Sequence, residues 1–444
     1  VSGRRRVGKS RLVQEFCDRS GLPAVIFQAT RGRAPGSERA EFLATVTQSG
    51  LPQAGLVAGL QASDWNQALR ALAIALPDDT PAVVVLDEIP WLTERAADFE
   101  GALQTVWDQH LAHKPVLLLL VGSDTSVMEQ LQEHGRPFFG RATPLRVEPL
   151  HVADVQDATG LDPAAAVDAL LVTGGFPEIV RSWPRGMTLR DFLRTSFADP
   201  LSPLLVSGEL TLLGEFPEST QARAVLEAIG TGERTFTGIA SSAGGDGVLK
   251  SGALGPLLKT LQAKHVIAAD RPLSTTSDTK NNRYRVADPY LRFWLAFAAR
   301  AIPLVERGRG DVALDHVERG WAAWRGRAVE PFVRASLERL LPDDAWPTTE
   351  FVGGWWNRRN NPEVDLVGAD RTPVARSVQF LGSVKWHESR PFGRQEYDAL
   401  ARAVTAVPGA DATTPLVAVS RSGVDGDLPL AATWGPEQLV AAWR

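Results

Sequence analysis

The chain holds one cysteine, two methionines and three tyrosines in 444 residues. With Cys17 as the single thiol, an internal disulfide framework and a cysteine-rich zinc site are excluded. Cys17 falls in "SRLVQEFC", where Leu12, Val13 and Phe16 share a helical face, and it reads as helix packing rather than as a nucleophile. Long apolar runs are lacking too. The longest, around Val116 to Val121, is far short of the ~20 residues that a bilayer-spanning helix needs, and the residues after Val1 carry no apolar stretch of the signal-peptide kind. No membrane partner and a cytoplasmic location are therefore expected. An excess of basic charge is the third absence: 47 Lys and Arg stand against 52 Asp and Glu, a formal net charge of −5. The chain as a whole has no electrostatic footprint for nucleic acid, so any DNA contact must come from local patches. What is present, 44% hydrophobic and 22% charged residues, is ordinary globular composition, with length for roughly two to four domains.

Near the start stands "GRRRVGKS", Gly3 to Ser10, a complete match to the phosphate-loop pattern G-x-x-x-x-G-K-[ST]. Gly3 and Gly8 permit backbone conformations and close approaches that a side chain would block, so successive N–H groups can turn inward around a phosphate. Lys9 would reach the β- and γ-phosphates and Ser10 would ligate Mg²⁺. The helix beginning near Lys9 would aim its positive dipole end at the anion. The candidate nucleotide cradle is Gly3, Arg4, Arg5, Arg6, Val7, Gly8, Lys9, Ser10 and Arg11.

The first 150 residues alternate strand and helix signals. "AVIFQAT" (24–30), "AVVVLDE" (82–88), "PVLLLLVGS" (115–123) and "PLRVEPL" (144–150) read as buried strands separated by helix-length segments, the signature of parallel βαβ units. An α/β nucleotide-binding domain is expected. The second strand ends in Asp87-Glu88, delivering two carboxylates to the sheet edge where ligands bind in open α/β folds. There Asp87 would enter the Mg²⁺ shell, and Glu88 would orient and deprotonate an attacking water. The next strand ends "VGSDTS", so Ser123 or Asp124 falls beside the γ-phosphate, with a helix N-cap as the competing role.

In order along the chain, "GRRRVGKS", "VVVLDEIPWL", "LVGSDTSVME", "PFFGRATPLRVEPL" and "LLVTGGFPEIV" resemble a family of archaeal and bacterial AAA-type ATPases. In that family a winged helix and a C-terminal domain similar to PD-(D/E)XK nucleases follow the ATPase. The resemblance implies ATP and Mg²⁺ as cofactors and Mg-dependent hydrolysis of ATP, with the catalytic glutamate directly after the metal aspartate, as Glu88 follows Asp87. Arg141 of "FFGRAT" matches a recurrent arginine that could contact the γ-phosphate within the subunit or across an interface; an exposed arginine is the alternative. Arg4, Arg5 and Arg6 also match, as a nucleotide or DNA contact or as solvated loop charge. DNA, a protein partner and a second copy of the chain remain candidate partners. In such ATPases the loop strand lies mid-sheet, between the strand ending at Ser123 and "PLRVEPL". Val1 and Ser2 could supply only its end, so the native chain is expected to continue before Val1, with Val1 entering the sheet interior.

Beyond residue 150 the pattern turns helical. Residues 151–205 read as a helical lid, the Ser-, Gly- and Pro-containing stretch 201–219 as a connector, and 220–290 as three helices and a two-stranded wing. Lys259, Lys264, Lys280, Arg283 and Arg285 of this winged helix could meet phosphates, but the third helix is sparsely basic, and a structural or subunit-docking role is the alternative. Residues 315–444 give an α-β-β-β-α-β series that resembles the PD-(D/E)XK order. Carried over by position, Glu330 matches the helix acid, Asp365 the strand acid and Lys385 the lysine around a possible Mg²⁺. Ser383 stands where the second carboxylate belongs, so a degenerate domain retained for binding or assembly is expected in place of a nuclease.

Overall fold

Runs of Val, Ile and Leu without polar alternation suit strands covered on both faces. Three such runs, β1 (Ala24–Gln28), β2 (Ala82–Asp87) and β3 (Val116–Leu120), pair in parallel in the order β1-β2-β3. Every residue of the central β2 is buried. The computed structural model describes residues 1–215, 220–244, 251–278 and 280–444, which form two compact units, 1–149 and 150–444.

In the first unit, α1 (Lys9–Ser20) sets Val13 and Cys17 against Val83, Val85 and Val121 on one face of the sheet. Leu12 and Phe16, expected on that same inward face, are exposed. Each helical step turns the side chain by about 100°, so the face defined by Val13 and Cys17 carries its neighbours round toward solvent. The other face is covered by α2 (Pro35–Gln48), α3 (Trp65–Ala75), α4 (Ile89–Arg95) and α5 (Phe99–Val106). Phe27, Phe42, Trp65 and Phe99 run through this core in successive edge-to-face contacts, with ring centroids 5.2, 5.6 and 5.1 Å apart.

Past β3 and the short α6 (Thr125–Gln130), the chain returns to the sheet. Ser2 bridges Gly122 on one side and Arg146 on the other, both in parallel, with Val147 N donating to Ser2 O at 2.8 Å and Gly122 N to Val1 O at 3.1 Å. The stretch 144–150 was expected as a full strand, but it forms only this single bridge. A ladder extends only where both chains supply paired residues, and here Ser2 alone faces Arg146.

The second unit begins with α7 (Val152–Thr159), α8 (Pro163–Thr173), α9 (Pro177–Arg181) and α10 (Leu189–Ala198). The expected connector contains a helix, α11 (Pro203–Glu215), and its residues 216–219 lie outside the described residues. Leucines decide this: Leu204, Leu205 and Leu212 are buried, and the Leu204 and Leu205 carbonyls accept from Tyr290 Oη (3.0 Å) and Trp294 Nε1 (2.7 Å). Then come α12 (Thr220–Thr231), α13 (Phe236–Ala243), α14 (Ser251–Ala263) and an antiparallel hairpin of β4 (Ile267–Asp270) and β5 (Arg283–Val286).

The helices α15 (Pro289–Phe293), α16 (Ala299–Val305), α17 (Gly310–Ala328) and α18 (Glu330–Leu340) lead into a five-stranded sheet. Its strands are β6 (Phe351–Trp356), β7 (Glu363–Ala369), β8 (Val378–Lys385), β9 (Leu416–Ser420) and β10 (Ala432–Trp434), in the order β10-β9-β8-β7-β6. Neighbours pair antiparallel from β6 to β8 and parallel from β8 to β10, with α19 (Arg394–Ala403) crossing between β8 and β9. A last helix, α20 (Pro436–Ala441), follows β10. A buried ionic cluster ties α8 to this region. Asp168 accepts hydrogen bonds from Arg325, Arg421 and the Trp386 indole. Among the described residues, no helix is long and apolar enough to cross a membrane.

Candidate functional site

The segment Gly3–Ser10 leaves the sheet at Ser2 and enters α1. Gly3 has φ +151°, and a Cβ there would lie 2.3 Å from Val147 O, so no side chain fits. Gly8, with φ +95°, turns the chain into the first turn of α1. Val7 is buried and anchors the loop. Lys9 is also buried, and its Nζ donates to the carbonyls of Gly3 (2.7 Å) and Arg4 (2.9 Å), closing the loop around its own ammonium.

The end of β2 stands next to it. Ser10 Oγ donates to Asp87 Oδ2 at 2.7 Å, and Asp87 Oδ1 accepts from the Glu88 N–H at 2.8 Å. Glu88 has φ +57°, an unfavourable backbone for a non-glycine residue, and this turns its side chain back over the sheet edge. Its carboxylate oxygens accept from Ser123 Oγ at 3.1 and 2.9 Å. Of the two candidates after β3, Ser123 faces Glu88, whereas Asp124 Oδ1 caps α6 by accepting from the Ser126 and Val127 N–H groups. A glycine-turned loop before a helix, a lysine on its carbonyls and an acidic pair ending the central parallel strand belong to one architecture. The first unit is a parallel α/β nucleotide-binding fold with a P-loop.

Two further expected members of the site pair with neighbouring carboxylates. The Arg11 side chain pairs with Glu15 on the exposed face of α1, at 3.1 Å. Arg141 is exposed and donates to Asp108 Oδ2 (3.3 Å) and Pro137 O (3.2 Å). Arg4, Arg5 and Arg6 are each partly exposed along the loop.

The second cluster departs further from expectation. Asp365, Ser383 and Lys385 line one cleft of about 430 Å³ with Arg390 and Glu396, but Glu330 does not line it. Asp365 Oδ2 accepts from Ser383 Oγ (2.9 Å) and from the Val384 N–H (2.8 Å). Glu330, on the first turn of α18, pairs with Arg334 Nη2 at 3.2 Å. Burial pushes the Glu330 carboxyl up to about 7; Arg334 opposes the rise, and Asp365 and Glu363 add to it. Among the described residues, no group of three or more His, Cys, Asp or Glu is gathered as a metal site, and Glu330 and Asp365 face different partners. Reading by position missed Arg334, although its four-residue spacing from Glu330 was the available signal.

Two of the five proposed phosphate contacts are engaged in ion pairs, one of them buried. Arg283 is buried, forms an ion pair with Glu363, donates to Asn360 Oδ1 at 2.8 Å and stacks 4.2 Å over the Trp356 ring. Burial would raise the Glu363 carboxyl, but the Arg283 hydrogen bond and charge hold it below its ordinary range. Arg285 pairs with Asp270 at 3.0 Å. Lys259 and Lys280 are exposed.

Residues 294–397 match the DUF234 family model, described as archaeal and bacterial proteins of unknown function. An uncharacterised protein of Methanocaldococcus jannaschii is 25% identical over 312 residues, 69% of this chain and 68% of its own length. A Walker-type ATPase of Pyrococcus abyssi superposes with a TM-score of 0.47 at 18% identity, over 66% of this chain and 89% of that one. The Aeropyrum pernix ORC2 protein gives 0.45 at 17% identity, over 70% and 87%.

Proposed function

We propose that the P-loop unit binds ATP with Mg²⁺ and hydrolyses it. The observation that carries this reading is the Ser10–Asp87 hydrogen bond beside a buried Lys9 and a loop that excludes side chains at Gly3. One hydroxyl and one carboxylate are what an octahedral Mg²⁺ shared with phosphate oxygens and water requires from the protein. The fit is therefore good. Bound Mg²⁺–ATP supplies the phosphoanhydride bond and the ion that neutralises its charge. Lys9 would exchange its two carbonyl partners for phosphate oxygens, while the loop N–H groups and the α1 dipole hold the anion. Glu88 would accept a proton from water, and Ser123, hydrogen-bonded to that carboxylate, would hold it until the nucleotide is seated.

For the output, a nucleotide-dependent switch is favoured over DNA processing. Arg283 and Arg285 are spent on internal ion pairs, and Glu330 is occupied by Arg334. The test is nucleotide binding and phosphate release by purified protein, with and without single- and double-stranded DNA. Lys9→Ala should abolish tight binding, whereas Glu88→Gln should keep binding and lose turnover. Equal loss of binding in both would contradict these roles, and strong stimulation by DNA would return the protein to the DNA-processing class.

A further inference from the structure

Resemblance to PD-(D/E)XK nucleases implies a divalent ion held between α18 and the strand pair β7–β8, and the side chains present do not fit that ion. We infer that the Arg334 guanidinium is a tethered cation that closes this acidic site, so the C-terminal sheet takes up no divalent metal. The guanidinium joins the Glu330 carboxylate to the main chain of Asp365, in the gap between α18 and β7. Nη2 meets the Glu330 carboxylate at 3.2 Å, and Nε and Nη2 donate to the main-chain carbonyl of Asp365 at 3.0 and 2.9 Å.

The surroundings are shaped to admit this group. On the adjacent β6, a Cβ at Gly354 would lie 2.6 Å from Arg334 Nη2, so glycine leaves the guanidinium its room. The Asp365 carboxylate is turned the other way, onto the Ser383 hydroxyl and the Val384 N–H of β8. A carboxylate at position 383 would meet Asp365 Oδ2 with like charge, whereas the serine hydroxyl donates to it. Glu363, the third acid nearby, is committed to Arg283. A hard divalent cation needs about six oxygen ligands with several free carboxylate lone pairs, and these acids already face arginine or backbone donors. The guanidinium carries a permanent charge and a planar donor fork, so it satisfies the acids without a shell to complete.

Mn²⁺ uptake by the full chain without nucleotide, followed by electron paramagnetic resonance in an Asp87→Asn background, tests this. The background keeps the P-loop unit from contributing. The parent and its Glu330→Gln variant should take up Mn²⁺ equally weakly. Combining Arg334→Met with Ser383→Glu should add one site per chain, at least about tenfold tighter than any in the parent. Uptake by the parent that falls with Glu330→Gln would overturn the inference. So would a double variant that is folded by circular dichroism yet binds no more than the parent. Should the double variant not fold, the parent against Glu330→Gln decides: equal uptake supports the tethered cation and loss refutes it.

Discussion

Replacing Asp168 by alanine should be among the most damaging single changes in the second unit. Its carboxylate is 3% exposed and accepts from Arg325 Nη1 (3.0 Å), Arg421 Nη1 and Trp386 Nε1 (3.3 Å). Arg325, itself 2% exposed, cannot reach water when the carboxylate is gone, and it keeps Glu388, the Trp386 carbonyl and the Trp321 ring as neighbours. Removing one side of a buried pair costs about 3–5 kcal/mol, and the lower end applies here because the exposed Glu388 still offsets part of the Arg325 charge. For a unit of this size that lowers the melting midpoint by on the order of 10 °C. The assay is calorimetry with tryptophan fluorescence, since Trp321, Trp324 and Trp386 report on this region. Asp168→Leu combined with Arg325→Met and Arg421→Met removes the three charges of the cluster and should recover more than half of the loss, because those charges must also repay their own desolvation. A shift below about 2 °C in Asp168→Ala, or a triple variant as unstable as the single losses added together, would refute the reasoning.

Ser123→Ala frees the Glu88 carboxylate from its hydroxyl partner; ATP turnover should fall by about tenfold with nucleotide affinity unchanged, and a matching loss of affinity in a binding titration would show that Ser123 acts on the nucleotide instead. Gly3→Ala forces a side chain to within 2.3 Å of Val147 O at φ +151°, so the variant should lose nucleotide binding, as read by fluorescent-nucleotide titration; wild-type affinity would contradict the close approach. Glu330, pushed up to about 7 by burial from its ordinary 4.5, keeps its proton in the folded state at pH values where the unfolded chain has lost it. Its contribution to stability therefore rises as pH falls from 7 toward 4.5. The wild-type against Glu330→Gln stability difference should change by up to about 3 kcal/mol across that window, and a flat difference in urea titrations would exclude it.

The parallel sheet of the first unit was legible because each strand is a short apolar run whose period and flanking helices admit one packing. The neighbourhood of Ser10, Asp87, Glu88 and Ser123 follows from that, since parallel strands carry their C-terminal ends to one edge. Leucine content also encodes α11, yet the Ser, Gly and Pro beside it masked the helix, whose Leu204 and Leu205 carbonyls are met by Tyr290 and Trp294 from far along the chain. Charged side chains were the least legible. Composition shows that Arg283, Arg334 and Arg325 are cations, but not whether solvent or a carboxylate distant in the chain will meet them. Arg283 finds Glu363 and Arg325 finds Asp168 only after the second unit has folded. Local periodicity is a property of neighbouring residues and is written along the chain; the pairing of a buried charge depends on which distant backbone passes within about 3 Å, and tertiary structure alone decides that.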